Sequence, residues 1–149
     1  MKKFVEIRDR IRALNEQSVD QLEVFSEAIG LLKEGFARYD WVGIYLLEGD
    51  MLTLAGYLGK PTKHERIPVD KGICGAAVRE KHTIMVDDVR QNEDYLACSI
   101  ATCSEIVVPI MRGGEVLGEI DIDSDTPVAF DESDRRGLEL VAEELARAF

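Results

Sequence analysis

The sequence predicts an α+β fold, with a largely antiparallel β-sheet and with the N- and C-terminal helices on one face of that sheet. Three observations lead to this prediction. Apolar residues recur every three or four positions at both ends of the chain, which is typical of amphipathic helices. Two pairs of β-rich runs lie between them, each joined by a short glycine-containing turn. One further β-rich run stands alone. A ligand pocket is therefore expected on the other face of the sheet.

The helices are predicted from their apolar stripes and their capping residues. Ser18 is expected to cap the second helix, with Gln21 completing a capping box, and Asp131 is expected to cap the last helix. The stripes are either core or part of a helix-packed dimer interface, and periodicity alone does not separate the two. We expect the three stripes to consist of Phe4, Ile7, Ile11 and Leu14, of Leu22, Phe25, Ile29, Leu32 and Phe36, and of Leu138, Val141, Leu145 and Phe149.

The middle of the chain is predicted to form strands and one short helix. The first hairpin is expected to turn around Gly49 and the second at Gly113-Gly114. A glycine turn leads into the short helix, which should cover the second face of the sheet together with the loop that holds Cys98. We assign hairpins to 41–59 and 105–124, a single strand to 83–89 and the short helix to 70–82.

Length and charge limit the classes of function. The chain has 149 residues, 46% of them hydrophobic and 32% charged, as expected for one compact globular domain. No apolar run is long enough to span a bilayer and no signal peptide is evident, so a cytoplasmic protein is expected. The net charge of −11 and the lack of a basic cluster argue against nucleic acid as a partner. The three cysteines favour a reactive thiol over a disulfide framework.

Carboxylates alternate along the last predicted strand, "GEIDIDS". Because side chains alternate in a strand, Glu119, Asp121 and Asp123 should share one face, while the two intervening isoleucines pack under the terminal helices. Hairpin pairing would bring Glu105 near them. A solvated acidic face is one interpretation, and it is the one that spacing alone favours. The other is a functional cluster, in which a neutral carboxylic acid donates a proton beside a carboxylate that binds an ammonium group.

Each of the three cysteines has its own surroundings in the sequence. Cys74 lies at the expected first turn of the short helix, where the helix dipole would lower the pKa of its thiol, although a buried small hydrophobe is the alternative. Cys98 lies in a loop of small polar residues, and Cys103 directly precedes a strand. His64 and His82 lack ligand spacing to these cysteines and are predicted to be surface residues. No metal site is therefore expected.

Two aromatic residues share one face of the first predicted strand. Trp41 and Tyr45 in "WVGIY" are four positions apart. They are either core aromatics or the wall of a pocket for a small cation, since carboxylates are expected nearby.

Four segments together resemble a known family. "WVGIYLLEGD", "RIPVDKGICGAAV", "SEIVVPI" and "GEIDIDS" are similar, in this order, to a GAF domain and more narrowly to the free methionine-(R)-sulfoxide reductases. These enzymes reduce the R sulfoxide of the free amino acid. The resemblance extends from about Asp40 to the final helix. It implies a single GAF domain over 1–149, with N-terminal helices in 1–36 and the sheet, pocket and C-terminal helix in 40–149.

The resemblance also implies roles for individual residues. Cys98 in "LACS" corresponds to the nucleophile, which would attack the sulfoxide sulfur and become a sulfenic acid. Cys74 corresponds to a second cysteine that captures this sulfenic acid as a disulfide, which thioredoxin would then reduce. No cofactor or metal is implied. The remaining assignments place catalytic carboxylates at Glu105 and Asp123, and substrate-binding residues at Trp41, Tyr45 and Asp121.

The sequence departs from the family pattern in several places and leaves alternatives open. Ser99 follows the position of the nucleophile, where the family commonly has Asp. The segment before "RIP" has no cysteine, and Cys103 stands where a cysteine is unusual, so Cys103 or an external thiol is an alternative to Cys74 in resolving the intermediate. Glu119 adds a carboxylate to which no role is assigned. The alternative function is a GAF sensor that binds a small ligand or senses redox state. A dimer formed through the terminal helices, with a vestigial pocket, ranks last, and a homodimer of the enzyme also stays open.

Overall fold

The structure is a computed structural model that describes residues 1–91 and 102–149. Four α-helices and six strands make up this part of the chain, with short 3-10 turns at Val89–Gln91 and Ala146–Ala148. In chain order the elements are α1 (Lys2–Glu16), α2 (Gln21–Gly35), β1 (Trp41–Glu48), β2 (Met51–Leu58), β3 (Arg66–Pro68), α3 (Gly72–Glu80), β4 (Ile84–Val86), β5 (Ser104–Arg112), β6 (Glu115–Ser124) and α4 (Glu132–Leu145).

The six strands form one sheet in the order β3-β2-β1-β6-β5-β4, and every neighbouring pair is antiparallel. This confirms the predicted α+β fold. Both hairpins turn where glycines allow a positive φ angle: Gly49 has φ 65°, and Gly113 and Gly114 have φ 56° and 83°. Strand β3 was missed from the sequence, because three residues ending in a proline carry no alternating pattern.

The two faces of the sheet have separate hydrophobic clusters. Helices α2 and α4 cover one face, and α1 packs against both of them. Ile120 and Ile122 of β6 are fully buried on this face, as predicted from alternation along that strand. Helix α3 covers the other face, where Trp41, Tyr45 and Cys74 belong to a smaller buried cluster. The second face is the one that carries the carboxylates.

Two details of the predicted helices are wrong. Ser18 does not cap α2: its φ angle is 55° and its N–H donates to the Asn15 carbonyl at 3.1 Å, so it belongs to the turn that ends α1. Asp20 takes the cap position, with no side-chain hydrogen bond to the helix. Leu22 is 60% exposed, because the buried stripe of α2 includes Val24 and Ala28 and leaves Leu22 at its edge.

The predicted cap at Asp131 is confirmed and extends into a buried network. Asp131 and Asp134 form a capping box at the start of α4. Asp134 also accepts hydrogen bonds from Arg38 at 2.7 Å and from the Tyr39 hydroxyl at 2.5 Å. Burial and the neighbouring Asp134 raise the pKa of Tyr39, so this phenol stays protonated. The network ties α4 to the segment that immediately precedes β1 and Trp41.

Two helical glycines provide a matched test of the packing between helices. A Cβ atom at Gly137 of α4 would overlap the ring of Phe4, whereas a Cβ at Gly30 of α2 would have nothing within 4 Å. Gly137→Ala is expected to lower the free energy of unfolding by about 1–3 kcal/mol, because the buried ring must move. Gly30→Ala should raise it by about 0.5–1 kcal/mol through helix propensity. Urea unfolding measures both, and shifts of the same sign would contradict the packing of α1 against α4.

None of the helices in residues 1–91 and 102–149 has both the length and the apolar character needed to cross a bilayer.

Candidate active site

Four carboxylates form a buried acidic face on the α3 side of the sheet. Pairing of β5 with β6 places Glu105 opposite Asp123, and alternation places Asp121 and Glu119 on the same face. The exposed fractions are 3% for Glu105, 0% for Glu119 and Asp121, and 2% for Asp123. The interpretation of this face as a solvated surface is therefore wrong. We call these four residues, Glu105, Glu119, Asp121 and Asp123, the acidic face.

Helix α3 places a thiol directly on the acidic face. The Cys74 Sγ atom donates to Asp121 Oδ2 at 3.3 Å, and only 5% of the cysteine is exposed. Gly75 allows the first turn of α3 to pack against the loop that precedes it, since a Cβ there would lie 2.6 Å from the Val69 carbonyl oxygen. Gly72, with φ 69°, provides the turn into the helix.

The predicted lowering of the Cys74 pKa is wrong. Burial raises the pKa of this thiol well above its usual value, and the negative charges of Asp121, Glu119 and Glu105 raise it further. These effects outweigh the helix N-terminus. Cys74 is therefore a protonated thiol at neutral pH, which suits a residue that reacts only after another group has been oxidised.

The thiols differ in a way that alkylation can measure. In the reduced protein we expect iodoacetamide at pH 7 to modify Cys74 at least about tenfold more slowly than the half-buried Cys103, because Cys74 has little thiolate and little access. Peptide mass spectrometry gives the rate at each site, and the same reaction in urea serves as the control, since the two rates should converge there. Equal rates in the folded protein would contradict the site geometry.

The acidic face holds at least one proton. Burial raises the pKa of Glu119 well above its usual value. Burial also raises the pKa of Asp121, against the opposing effects of hydrogen bonds from Glu105 and Cys74 and of the charge of His64. Burial therefore favours the protonated form of both carboxyl groups. The effect of the half-buried His64 was missed, because the sequence around it is charged and indicates a surface position.

Two aromatic side chains from β1 border the acidic face. Trp41 pairs with Asp123 and Tyr45 with Glu119 across β1 and β6. The Trp41 indole donates to the Lys60 carbonyl at 3.1 Å, and the Tyr45 hydroxyl donates to the His64 carbonyl at 2.7 Å. Both rings are buried, 5% and 0% exposed, in the cluster that contains Cys74. Their polar tips are held, so the rings form a fixed wall.

The predicted nucleophile, Cys98, lies outside the described residues. Among the described residues, the backbone N–H of Cys103 donates to the Ser124 carbonyl and its carbonyl accepts from the Val89 N–H, both at 2.8 Å. Of the predicted site residues, the structure therefore brings together Cys74, Trp41, Tyr45 and the acidic face. This arrangement offers carboxylates for an ammonium group, a proton donor and a protonated thiol.

Comparison with known proteins identifies the fold and the relatives of this chain. The GAF domain family model matches residues 18–149. Free methionine-R-sulfoxide reductase from Escherichia coli is 34% identical over 141 residues, covering 94% of this chain and 85% of the relative.

Solved structures of related proteins superpose over almost the whole chain. The X-ray structure of free methionine-R-sulfoxide reductase from Neisseria meningitidis, in complex with its substrate, is 34% identical with a TM-score of 0.90, covering 99% of this chain and 90% of that one. The type II free methionine-R-sulfoxide reductase from Thermoplasma acidophilum is 38% identical with a TM-score of 0.80, covering 94% and 92%. The chain therefore belongs to the GAF domain family, within the group that contains the free methionine-R-sulfoxide reductases.

Proposed function

We propose that this protein reduces free L-methionine (R)-S-oxide to L-methionine, with Cys98 as the nucleophile. The observation that carries the proposal is the buried acidic face with the Cys74 thiol against it, 3.3 Å from Asp121. Burying several carboxylates together costs free energy of folding, and this cost favours a functional role for them. The relatives named above, one of them in complex with its substrate, support the same activity.

The acidic face provides recognition of the free amino acid. The α-ammonium group of methionine sulfoxide binds to Asp121, and the low local dielectric strengthens this charged hydrogen bond. The rings of Trp41 and Tyr45 contact the side chain of the bound methionine sulfoxide. A methionine sulfoxide residue inside a peptide has no free ammonium group, so it should bind poorly.

The chemistry needs a thiolate and a proton. The Cys98 thiolate attacks the sulfoxide sulfur and forms a sulfur–sulfur bond, while the substrate oxygen takes up a proton. The oxygen then moves to the Cys98 sulfur as the sulfur–oxygen bond and the new sulfur–sulfur bond of the substrate both break, which gives methionine and Cys98 sulfenic acid. The acidic face supplies the proton that the departing oxygen requires. We assign this proton transfer to Glu105 and Asp123, which face each other across β5 and β6.

Resolution of the intermediate involves the thiol on α3. The Cys74 thiol attacks the Cys98 sulfenic acid, a disulfide forms and water leaves. Thioredoxin then supplies two electrons and two protons to regenerate both thiols. A cytoplasmic location and a homodimer through the terminal helices stay predictions.

The alternative function as a nucleotide sensor fits the site less well. A net charge of −11 and four buried carboxylates would repel phosphate groups. Cyclic nucleotides should therefore leave the thermal unfolding temperature unchanged.

A coupled assay tests the proposal. Reduced protein is mixed with thioredoxin, thioredoxin reductase and NADPH, and NADPH consumption is followed with free methionine R-sulfoxide, with the S epimer and with a peptide that contains the R epimer. Turnover is expected with the free R epimer alone. No turnover with that epimer would refute the proposal, and equal turnover with the peptide would refute the role of the ammonium group.

A further inference from the structure

Three buried side chains on the α3 side of the sheet lie close enough together to hold a metal ion. The Cys74 Sγ atom and one carboxylate oxygen each from Glu105 and Asp121 all lie within 4.8 Å of one another, and all three residues are buried. Exposed acidic groups often cluster without binding anything, but these groups are buried and bulk water does not solvate them. A cation is one way to compensate so much buried negative charge.

A second and independent observation concerns Glu119. Its side chain is fully buried and lies against the Cys74 thiol. Neither of its carboxyl oxygens has a hydrogen-bond partner of good geometry among the described residues, and the same holds for Asp121 Oδ1. Buried polar atoms of this kind are rare in folded proteins and usually indicate an absent ligand or water. The substrate ammonium of the proposed function needs only part of these oxygens.

The donor set selects the class of cation. Magnesium and calcium prefer oxygen donors alone, in sites with six or more ligands. Zinc and cobalt accept thiolate sulfur together with carboxylate oxygen, at about 2.3 Å and 2.0–2.2 Å respectively. In a tetrahedral site these bond lengths place ligand atoms roughly 3.3–3.7 Å apart. The spacing of up to 4.8 Å among Cys74, Glu105 and Asp121 needs to close by about 1 Å, and the Glu119 side chain, which lies outside this group of three, needs to move further.

We propose that a thiophilic divalent cation of the zinc class binds between Cys74, Glu105 and Asp121, with Glu119 as the fourth ligand. On binding, a sulfur–metal bond forms and the Cys74 proton leaves to solvent, with no change of oxidation state. The ion is an inhibitor and not a cofactor, because it occupies Cys74 and the oxygens that would bind an ammonium group. Binding of the ion at this site does not depend on the proposed function; only its inhibitory effect rests on that function.

Cobalt spectroscopy of the reduced full-length protein tests the site without reference to catalysis. Under anaerobic titration we expect one Co²⁺ per chain, with a thiolate-to-cobalt charge-transfer band in the near ultraviolet and visible bands of a four-coordinate ion. An equimolar amount of Zn²⁺ should remove the bands, whereas millimolar Mg²⁺ should not. A titration with no charge-transfer band would overturn the proposal.

Variants identify the thiol and the carboxylates. In the double variant Cys98→Ser/Cys103→Ser, Cys74 is the only thiol left, and the charge-transfer band should persist; its loss would overturn the proposal. In Cys74→Ser the band should vanish.

The carboxylates are tested in the same way. Glu119→Gln and Asp121→Asn should each weaken Co²⁺ binding by about tenfold or more, while Glu115→Gln, an exposed control on β6, should not. Equal affinities in all four proteins, wild type included, would contradict the assignment. Because the readout is optical, absence of reductase activity would not affect it.

Discussion

Replacing Cys98 with serine is expected to abolish the reduction of free methionine R-sulfoxide, lowering kcat by at least about a thousandfold. A serine hydroxyl has almost no anionic form at neutral pH and is a poor nucleophile toward sulfur. Stability should not change, so the thermal unfolding temperature of the variant should match that of the wild type. The coupled assay with the free R epimer measures the effect.

The control for Cys98→Ser is the same substitution at Cys103, five residues further along the chain. With reduced protein and no external reductant, Cys103→Ser should release as much methionine in the first turnover as the wild type, because the initial attack needs one sulfur. Turnover by Cys98→Ser at the wild-type rate would show that the nucleophile lies elsewhere.

Replacing Asp121 with asparagine is expected to lower kcat/KM for free methionine R-sulfoxide by about 10- to 100-fold. The loss corresponds to about 1.5–3 kcal/mol for one hydrogen bond to a charged group. Most of the effect should appear in KM, because the carboxylate binds the substrate ammonium. The asparagine has nearly the same size and still accepts from the Cys74 thiol, so the site should keep its shape.

The same substitution should leave the fold intact or make it more stable. Asp121 is fully buried with one oxygen that has no hydrogen-bond partner among the described residues, and such a group opposes folding. Asp125→Asn, at an exposed position just beyond β6, is the matched control and should change neither property. Unchanged kcat/KM in Asp121→Asn, or an equal loss in Asp125→Asn, would contradict the role of the acidic face.

The fold was predictable where a local pattern repeats. Alternation in β6 predicted which residues face the terminal helices, and Ile120 and Ile122 are buried there. The prediction failed at residues whose type or spacing is compatible with more than one local structure. Ser18 has the residue type of a helix cap, yet it lies in a left-handed turn at the end of α1. Leu22 fits the helical period, but it lies at the edge of the buried stripe of α2.

The site was only half predictable, for a physical reason. Alternation shows that Glu105, Asp121 and Asp123 share a face, but not whether another element covers that face. Helix α3 covers it, through contacts between residues far apart in sequence. The same contacts reverse the expected pKa shift of Cys74, because a helix terminus is visible in the sequence and three neighbouring carboxylates are not. The burial of Glu119 likewise depends on tertiary packing.

The central claim is that Cys98 and the acidic face beside Cys74 form one reaction site. The most direct test is to treat the reduced protein with one equivalent of free methionine R-sulfoxide, block the remaining thiols, and map the disulfides by peptide mass spectrometry. We predict a bond between Cys74 and Cys98, formed together with one equivalent of methionine. Methionine release with Cys98 left unlinked to Cys74, whether free or joined to Cys103, would contradict the account, and so would the absence of any methionine.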